Sequence, residues 1–233
     1  MIHLPTRIQF GEGALLQAAG QLLNLGSRPL IVTGRSSARL SGALDELIVV
    51  LERADLDWEL FDQVEENPSL DTVLAGAKVL RESGCDFLIG IGGGSPIDAA
   101  KAISLAAANS LGRDEFYQTS KFRATLPVAA IPTTAGTGTE VTQYSVLTDP
   151  LSGIKAGFGH DLAFPRLAIC DPRHTLSLDP AVTLNTALDA LSHLLEGIYS
   201  NQRDPLLYPI IHSGAGAILK HLQSVLEQPQ DLA

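Results

Sequence analysis

Cysteine is scarce in this 233-residue chain. The two present, Cys85 and Cys170, lie far apart, each beside an aspartate at the end of an apolar run. That excludes a disulfide framework and reads as two buried small hydrophobes, which suits a reducing compartment. Basic residues are few as well: 16 Lys and Arg stand against 26 Asp and Glu, a net charge of −10. No basic stripe gathers them, so nucleic acid is not expected as a partner. An acidic protein that takes an anionic ligand must hold it locally, with backbone amides and a few cations. No basic segment followed by an apolar one opens the chain. Gly, Pro or a charge breaks every apolar run before membrane-spanning length. These absences read as a soluble cytoplasmic protein without a membrane partner. Internal repeats and low-complexity tracts are also lacking.

What is present is a folded, globular composition, 45% hydrophobic and 18% charged. Short apolar runs alternate with helical patterns. Strands are expected over 29–33, 58–61, 86–91 and 127–131, with further strands over 144–148 and 167–170. Helices are expected over 38–54, 69–83 and 97–108; the last is poor in charge and so reads as buried. Near-continuous apolar strands between amphipathic helices predict an α/β fold with a parallel sheet covered on both faces. After Asp179-Pro180 the pattern changes to two helices, 181–199 and 209–226, with no strand between them. The expected organisation is an α/β unit over 1–178, then the start of an all-helical unit over 179–233.

Three segments carry chemistry. The first is Ile89-Gly90-Ile91-Gly92-Gly93-Gly94-Ser95-Pro96-Ile97-Asp98-Ala99-Ala100-Lys101, a buried strand, a glycine turn and a helix start. Consecutive glycines permit positive φ and close backbone approach to a bulky anion. Ser95 is placed to cap the helix, Pro96 suits its first turn, and Asp98 completes a Ser-x-x-Asp capping box. Free N–H groups and the helix dipole make this a pyrophosphate site. A glycine turn without a ligand is the alternative. The second segment, Pro132-Thr133-Thr134-Ala135-Gly136-Thr137-Gly138-Thr139-Glu140-Val141-Thr142, also follows an apolar strand. Its hydroxyls and flexible backbone offer a second wall for a phosphate or ribose. In the third, Asp189 and His193 are four apart and share one helix face. Carboxylate plus imidazole can hold Fe²⁺ or Zn²⁺, but a catalytic site normally takes at least three protein ligands.

In this order the three segments closely resemble the iron-containing (group III) alcohol dehydrogenase family. Phe10-Gly11-Glu12-Gly13-Ala14-Leu15, Glu66-Asn67-Pro68 and Thr148-Asp149 fit the same pattern. The resemblance implies an NAD(P)-dependent oxidoreductase acting on a small alcohol or aldehyde. It implies that Gly93, Gly94 and Ser95 hold the cofactor pyrophosphate, and that Asp98, Thr133, Thr134 and Thr137 line its path. Lys155 and Asn67 match residues close to the cofactor. Asp189 and His193 match the first two of four ligands to a divalent metal, Fe or Zn. The threonine-rich loop and the Asp189/His193 spacing favour this branch over a dehydroquinate synthase or glycerol dehydrogenase type.

Two departures stand out. NAD-preferring relatives often carry an acidic residue just after the first strand, where this chain has Gly34. An aspartate there would repel a 2′-phosphate. Gly34, with Arg35, Ser36, Ser37 and Arg39 nearby, tilts the reading towards NADP. The second departure concerns the two further histidine ligands of the family, which find no match up to Ala233. His3, His160, His174, His212 and His221 read mostly as surface or boundary residues. The short form is expected to need a homo-oligomeric neighbour or a separately encoded C-terminal half. The alternative is a nucleotide-binding remnant without catalysis.

Overall fold

A computed structural model describes residues 3–230. In chain order the elements are β1 (Arg7–Phe10), α1 (Ala14–Gln17), α2 (Ala19–Leu23), β2 (Pro29–Thr33), α3 (Ser37–Leu40) and α4 (Ala43–Arg53). Next come β3 (Glu59–Phe61), α5 (Leu70–Ser83), β4 (Phe87–Gly92), α6 (Gly94–Asn109) and β5 (Val128–Pro132). The hairpin strands β6 (Tyr144–Asp149) and β7 (Ile154–Gly159) precede β8 (Leu167–Cys170), α7 (Pro180–Tyr199) and α8 (Tyr208–Glu227). Six strands form one sheet in the order β1-β8-β5-β4-β2-β3, parallel throughout.

Every residue of β2, β4 and β5 is buried, as expected for a parallel sheet covered on both faces. Alternation within each strand divides the core in two. Leu30, Val32, Leu88 and Val128 pack beneath α5 and α6, with Val73, Ala77, Leu80 and Ile103 from those helices. Ile31, Phe87, Ile89, Ile91, Ala129 and Ile131 face the other way, onto α1, α2 and α4. Cutting one of these leucines or isoleucines, or Phe87, to Ala costs roughly 2–5 kcal/mol, because the close-packed layers cannot collapse into the gap.

Helix ends follow local chemistry. The Ser69 hydroxyl accepts the Thr72 N–H at 3.1 Å and starts α5; Gly84, at φ 70°, stops it. The sheet reverses its direction of growth beside β2: β3 lies on one side, β4 on the other. Ligands in such sheets bind above the carboxyl ends of strands at that reversal. Gly34 follows β2 there and Gly93 follows β4.

Four sequence expectations need correction. The helix expected over 38–54 is two helices, broken where Gly42 takes φ 76°. The strand over 144–148 does not join the sheet. It pairs antiparallel with β7, which was not expected, and the hairpin lies against α6. Strand β1 also went unseen, because an edge strand with mostly exposed residues carries no apolar run. Its place is beside β8, with Phe10 opposite Cys170. Finally, His174 is buried, its Nε2 3.0 Å from Glu46 Oε2. The two C-terminal helices fall where expected and pack on each other, and Leu188, Leu195, Ile198, Ile210 and Leu219 remain exposed on them. Among the described residues no helix is long and apolar enough to cross a membrane.

Candidate functional site

The glycine turn ends β4 and opens α6 in a way the sequence only half shows. Gly92 takes φ 142°, a conformation side chains rarely adopt, and turns the chain out of the sheet. Gly93 is the N-cap and has extended backbone. The expected capping box does not form. Ser95 is already inside the helix, and its Oγ accepts the backbone N–H of Asn67 at 3.1 Å. No side chain caps α6, and Pro96 has no N–H to satisfy. The first-turn amides therefore point, uncapped, into the space above the sheet.

The threonine-rich loop crosses directly over this turn. The Thr133 N–H donates to the Gly92 carbonyl at 2.8 Å. A Cβ at Gly93 would lie 3.4 Å from the Thr134 side chain, and one at Gly94 3.3 Å from Thr137. The two glycines leave a cradle that side chains would fill. On the other side of the loop, a Cβ at Gly136 would lie 2.4 Å from the Thr186 carbonyl oxygen of α7. One loop thus touches both the glycine turn and the helix that carries Asp189 and His193.

Between these elements lies a cleft of about 950 Å³, at the upper end of the range for small-molecule sites. Asn67, Gly94, Ser95, Asp98, Thr137, Lys155, Asp189 and His193 line it, all expected from the sequence. Gly34, Gly93, Thr133 and Thr134 lie outside its lining. Thr133 is buried, with its backbone N–H on the Gly92 carbonyl. Gly34 sits further along the sheet edge; a Cβ there would lie 3.3 Å from the Val64 carbonyl. Lys155, on β7, donates from Nζ to Asn67 Oδ1 at 2.5 Å. Asn67 itself has φ 57°, a left-handed conformation that asparagine tolerates.

Asp98 is tied inward. Its Oδ1 accepts from the Thr139 hydroxyl, and its Oδ2 accepts the Val146 N–H at 2.9 Å. Beneath it, Lys101 is completely buried and donates to Thr139 Oγ1 at 2.6 Å and to the Tyr144 carbonyl at 2.8 Å. Burial pushes the Lys101 ammonium down to about 8, against the opposing pull of Asp98 and Glu140. Burial raises the Glu140 carboxyl. The Cys170 thiol is pushed up to about 12 by burial and then by the Glu140 charge. Sequence reasoning gave Lys101 and Thr139 no role. The available signal was a single lysine, three residues after Asp98, in a helix otherwise without charge.

Asp189 Oδ1 and His193 Nε2 are 3.8 Å apart on α7, each about half exposed. They can supply two donors to one ion. Among the described residues the one group of three potential donors is elsewhere, at Glu46, Asp171 and His174. There Arg173 takes the cation's place: its Nη2 lies 2.5 Å from Asp171 Oδ2 and 3.1 Å from Glu46 Oε1. The residues present therefore fit a dinucleotide, and for a metal they offer one pair of donors.

Comparison with known proteins places this geometry. The family model for iron-containing alcohol dehydrogenase matches residues 5–172. Alcohol dehydrogenase 4 of Saccharomyces cerevisiae is 36% identical over 98% of this chain and 60% of its own length. The NADPH-dependent butanol dehydrogenase of Clostridium saccharobutylicum is 34% identical over 94% of this chain and 57% of its own. The crystal structure of an iron-containing alcohol dehydrogenase from Thermotoga maritima superimposes with a TM-score of 0.92 at 41% identity. That match covers 97% of this chain and 63% of the other. The chain spans about 60% of the length of the relatives it matches. With its parallel six-stranded sheet, glycine turn and threonine loop, the chain belongs to the iron-containing alcohol dehydrogenase family.

Proposed function

We propose that this chain is the dinucleotide-binding portion, with half of the metal site, of an NAD(P)-dependent alcohol dehydrogenase. The observation that carries the proposal is the cleft itself: an uncapped helix start, a glycine cradle and the Asp189/His193 pair open into one space. Residues 1–178 form the cofactor unit, and 179–233 begin the helical unit that completes the metal and substrate side. The amides of Gly94 and Ser95 bind the pyrophosphate. Gly93 leaves room for it, Thr134 and Thr137 wall it, and Thr133 holds the turn from below. Asn67 and Lys155 close the opposite wall, and Asp98 fixes the floor. A bound nicotinamide supplies hydride chemistry, while the protein positions it. Asp189 and His193 provide two donors for a divalent metal whose chemistry is to polarise a substrate oxygen. The remaining donors come from outside the described residues, from a further helical segment, a partner polypeptide or a second copy. The substrate is a small alcohol or aldehyde.

The cofactor preference leans to NADP. No carboxylate follows β2 to repel a 2′-phosphate, and Arg35 is exposed beside Gly34 with no ion pair among the described residues. Glu65 and Asp71 share a shallow hollow with Arg35, but both are committed. Glu65 accepts from Ser69 and Thr72, and Asp71 pairs with Arg113.

Titration of the chain with NADPH and NADH, with metal content measured after dialysis, tests the proposal. Expected is saturable binding, tighter for NADPH, and little metal retained. About one metal per chain would show that a third donor is recruited, and assays with short alcohols would follow. Failure to bind either dinucleotide overturns the proposal.

A further inference from the structure

The cleft floor holds a buried cation that cofactor binding, as read above, does not use directly. Lys101 is a fully buried charged side chain. Its ammonium donates to Thr139 Oγ1, the Thr139 hydroxyl donates onward to Asp98, and Asp98 also accepts the Val146 N–H. Lys101 donates in addition to the Tyr144 carbonyl, and the Ser145 hydroxyl donates to the Asp98 carbonyl at 2.9 Å. These bonds join three elements: the first turns of α6, the end of the threonine-rich loop and the start of the hairpin. Asp98 faces the cleft directly above the ammonium, with Nζ 3.6 Å from Oδ1.

We propose that Lys101 is a positioning residue for the dinucleotide, acting through Thr139 and Asp98 rather than by touching the ligand. Two physical consequences support this role, which rests on the reading of the cleft as a dinucleotide site. First, an ammonium has only donors, so Thr139 must accept from Lys101 and give its own proton to Asp98. The relay therefore has one direction, and it orients Asp98 and pins the threonine loop over the glycine turn. Second, Lys101 balances Asp98. Without it, a carboxylate unpaired in low dielectric would lie in the floor of a site for an anionic ligand. The charged groups facing Lys101 are Asp98 from its own helix and Glu140 from the end of the threonine-rich loop; the hairpin contributes the neutral Tyr144 carbonyl. With the ammonium pushed down to about 8, that balance is lost within an accessible alkaline range.

The test is the affinity of the whole chain for NADPH by fluorescence titration between pH 7 and 9.5, with folding checked by circular dichroism. Wild-type affinity is expected to fall as pH rises through about 8. Lys101→Met is expected to bind roughly tenfold more weakly at pH 7, what one lost charge-assisted hydrogen bond costs, and to show no fall near 8. Should Lys101→Met not fold, Thr139 decides. Thr139→Val removes the relay while keeping both charges and should weaken binding similarly, and Thr139→Ser should restore it. A folded Lys101→Met with wild-type affinity and the wild-type pH profile overturns the inference while leaving the dinucleotide reading intact. So does a Thr139→Val that binds like wild type. A wild-type chain that binds no dinucleotide overturns both.

Discussion

The backbone of Gly136 meets the backbone of Thr186 so closely that a Cβ on the glycine would lie 2.4 Å from the Thr186 carbonyl oxygen. No flexible side chain stands there to give way, so any larger residue must move α7 or the loop. This contact sets the distance between the cofactor loop and the pair Asp189/His193, three and seven residues further along α7.

Gly136→Ala is accordingly expected to destabilise the chain by about 1–3 kcal/mol, the usual cost of overpacking. Ala135, its exposed neighbour, provides the control: Ala135→Ser should stay within about 0.5 kcal/mol of wild type. Urea unfolding at fixed pH measures both. Equal stabilities for the two variants would mean that the loop and α7 are not held together at this contact.

The cofactor preference gives a second expectation. An aspartate in place of Gly34 would sit at the end of β2, where it would repel a 2′-phosphate. The glycine has ordinary negative φ, so a side chain meets no conformational bar. The added Cβ would lie 3.3 Å from the Val64 carbonyl, a close contact to be absorbed by a small shift. Gly34→Asp should lower NADPH affinity at least about tenfold, roughly 1.4 kcal/mol, and leave NADH affinity equal or improved. Titration of both cofactors against both chains checks it, and an equal loss for the two would point to distortion of the strand end instead of charge.

Much of this cleft was legible in the sequence because its parts are local. A glycine turn after a buried strand, a threonine loop after another, and Asp189/His193 on one helix face are each written within a dozen residues. The sheet placed the first two together by bringing Gly92 and Pro132 into register. What stayed hidden depends on contacts remote in sequence. Ser95 has the letters of an N-cap, yet helix α6 starts one residue earlier and the hydroxyl bonds Asn67, 28 positions away. Asp98 has the letters of a capping box, yet it bonds Thr139 and Val146, more than 40 positions on. Strand β1 has no apolar run because its neighbour β8 covers one edge alone.

The network at Asp171 yields the last expectation, one of stability. Asp171 caps the turn after β8 by accepting the Arg173 N–H at 3.0 Å, and its Oδ2 accepts the Gly13 N–H at 2.8 Å. It therefore ties the turn before α1 to the turn after the neighbouring strand β8. Burial works to raise its carboxyl, but the hydrogen bonds from Arg173 outweigh burial and hold it below the ordinary carboxylate range. A carboxyl depressed in the folded state stabilises the fold above its unfolded value, near 3.8, and that stabilisation is lost as pH falls through the lower folded value. Asp171→Asn keeps the shape and removes the charge. It should cost roughly 1.5–3 kcal/mol at pH 7, the range for hydrogen bonds to a charged group, and progressively less below pH 4. Thermal unfolding of both chains from pH 7 to pH 3 measures the difference. A gap that stays constant across that range would mean that Asp171 acts as a neutral hydrogen-bond acceptor, with no contribution from its charge.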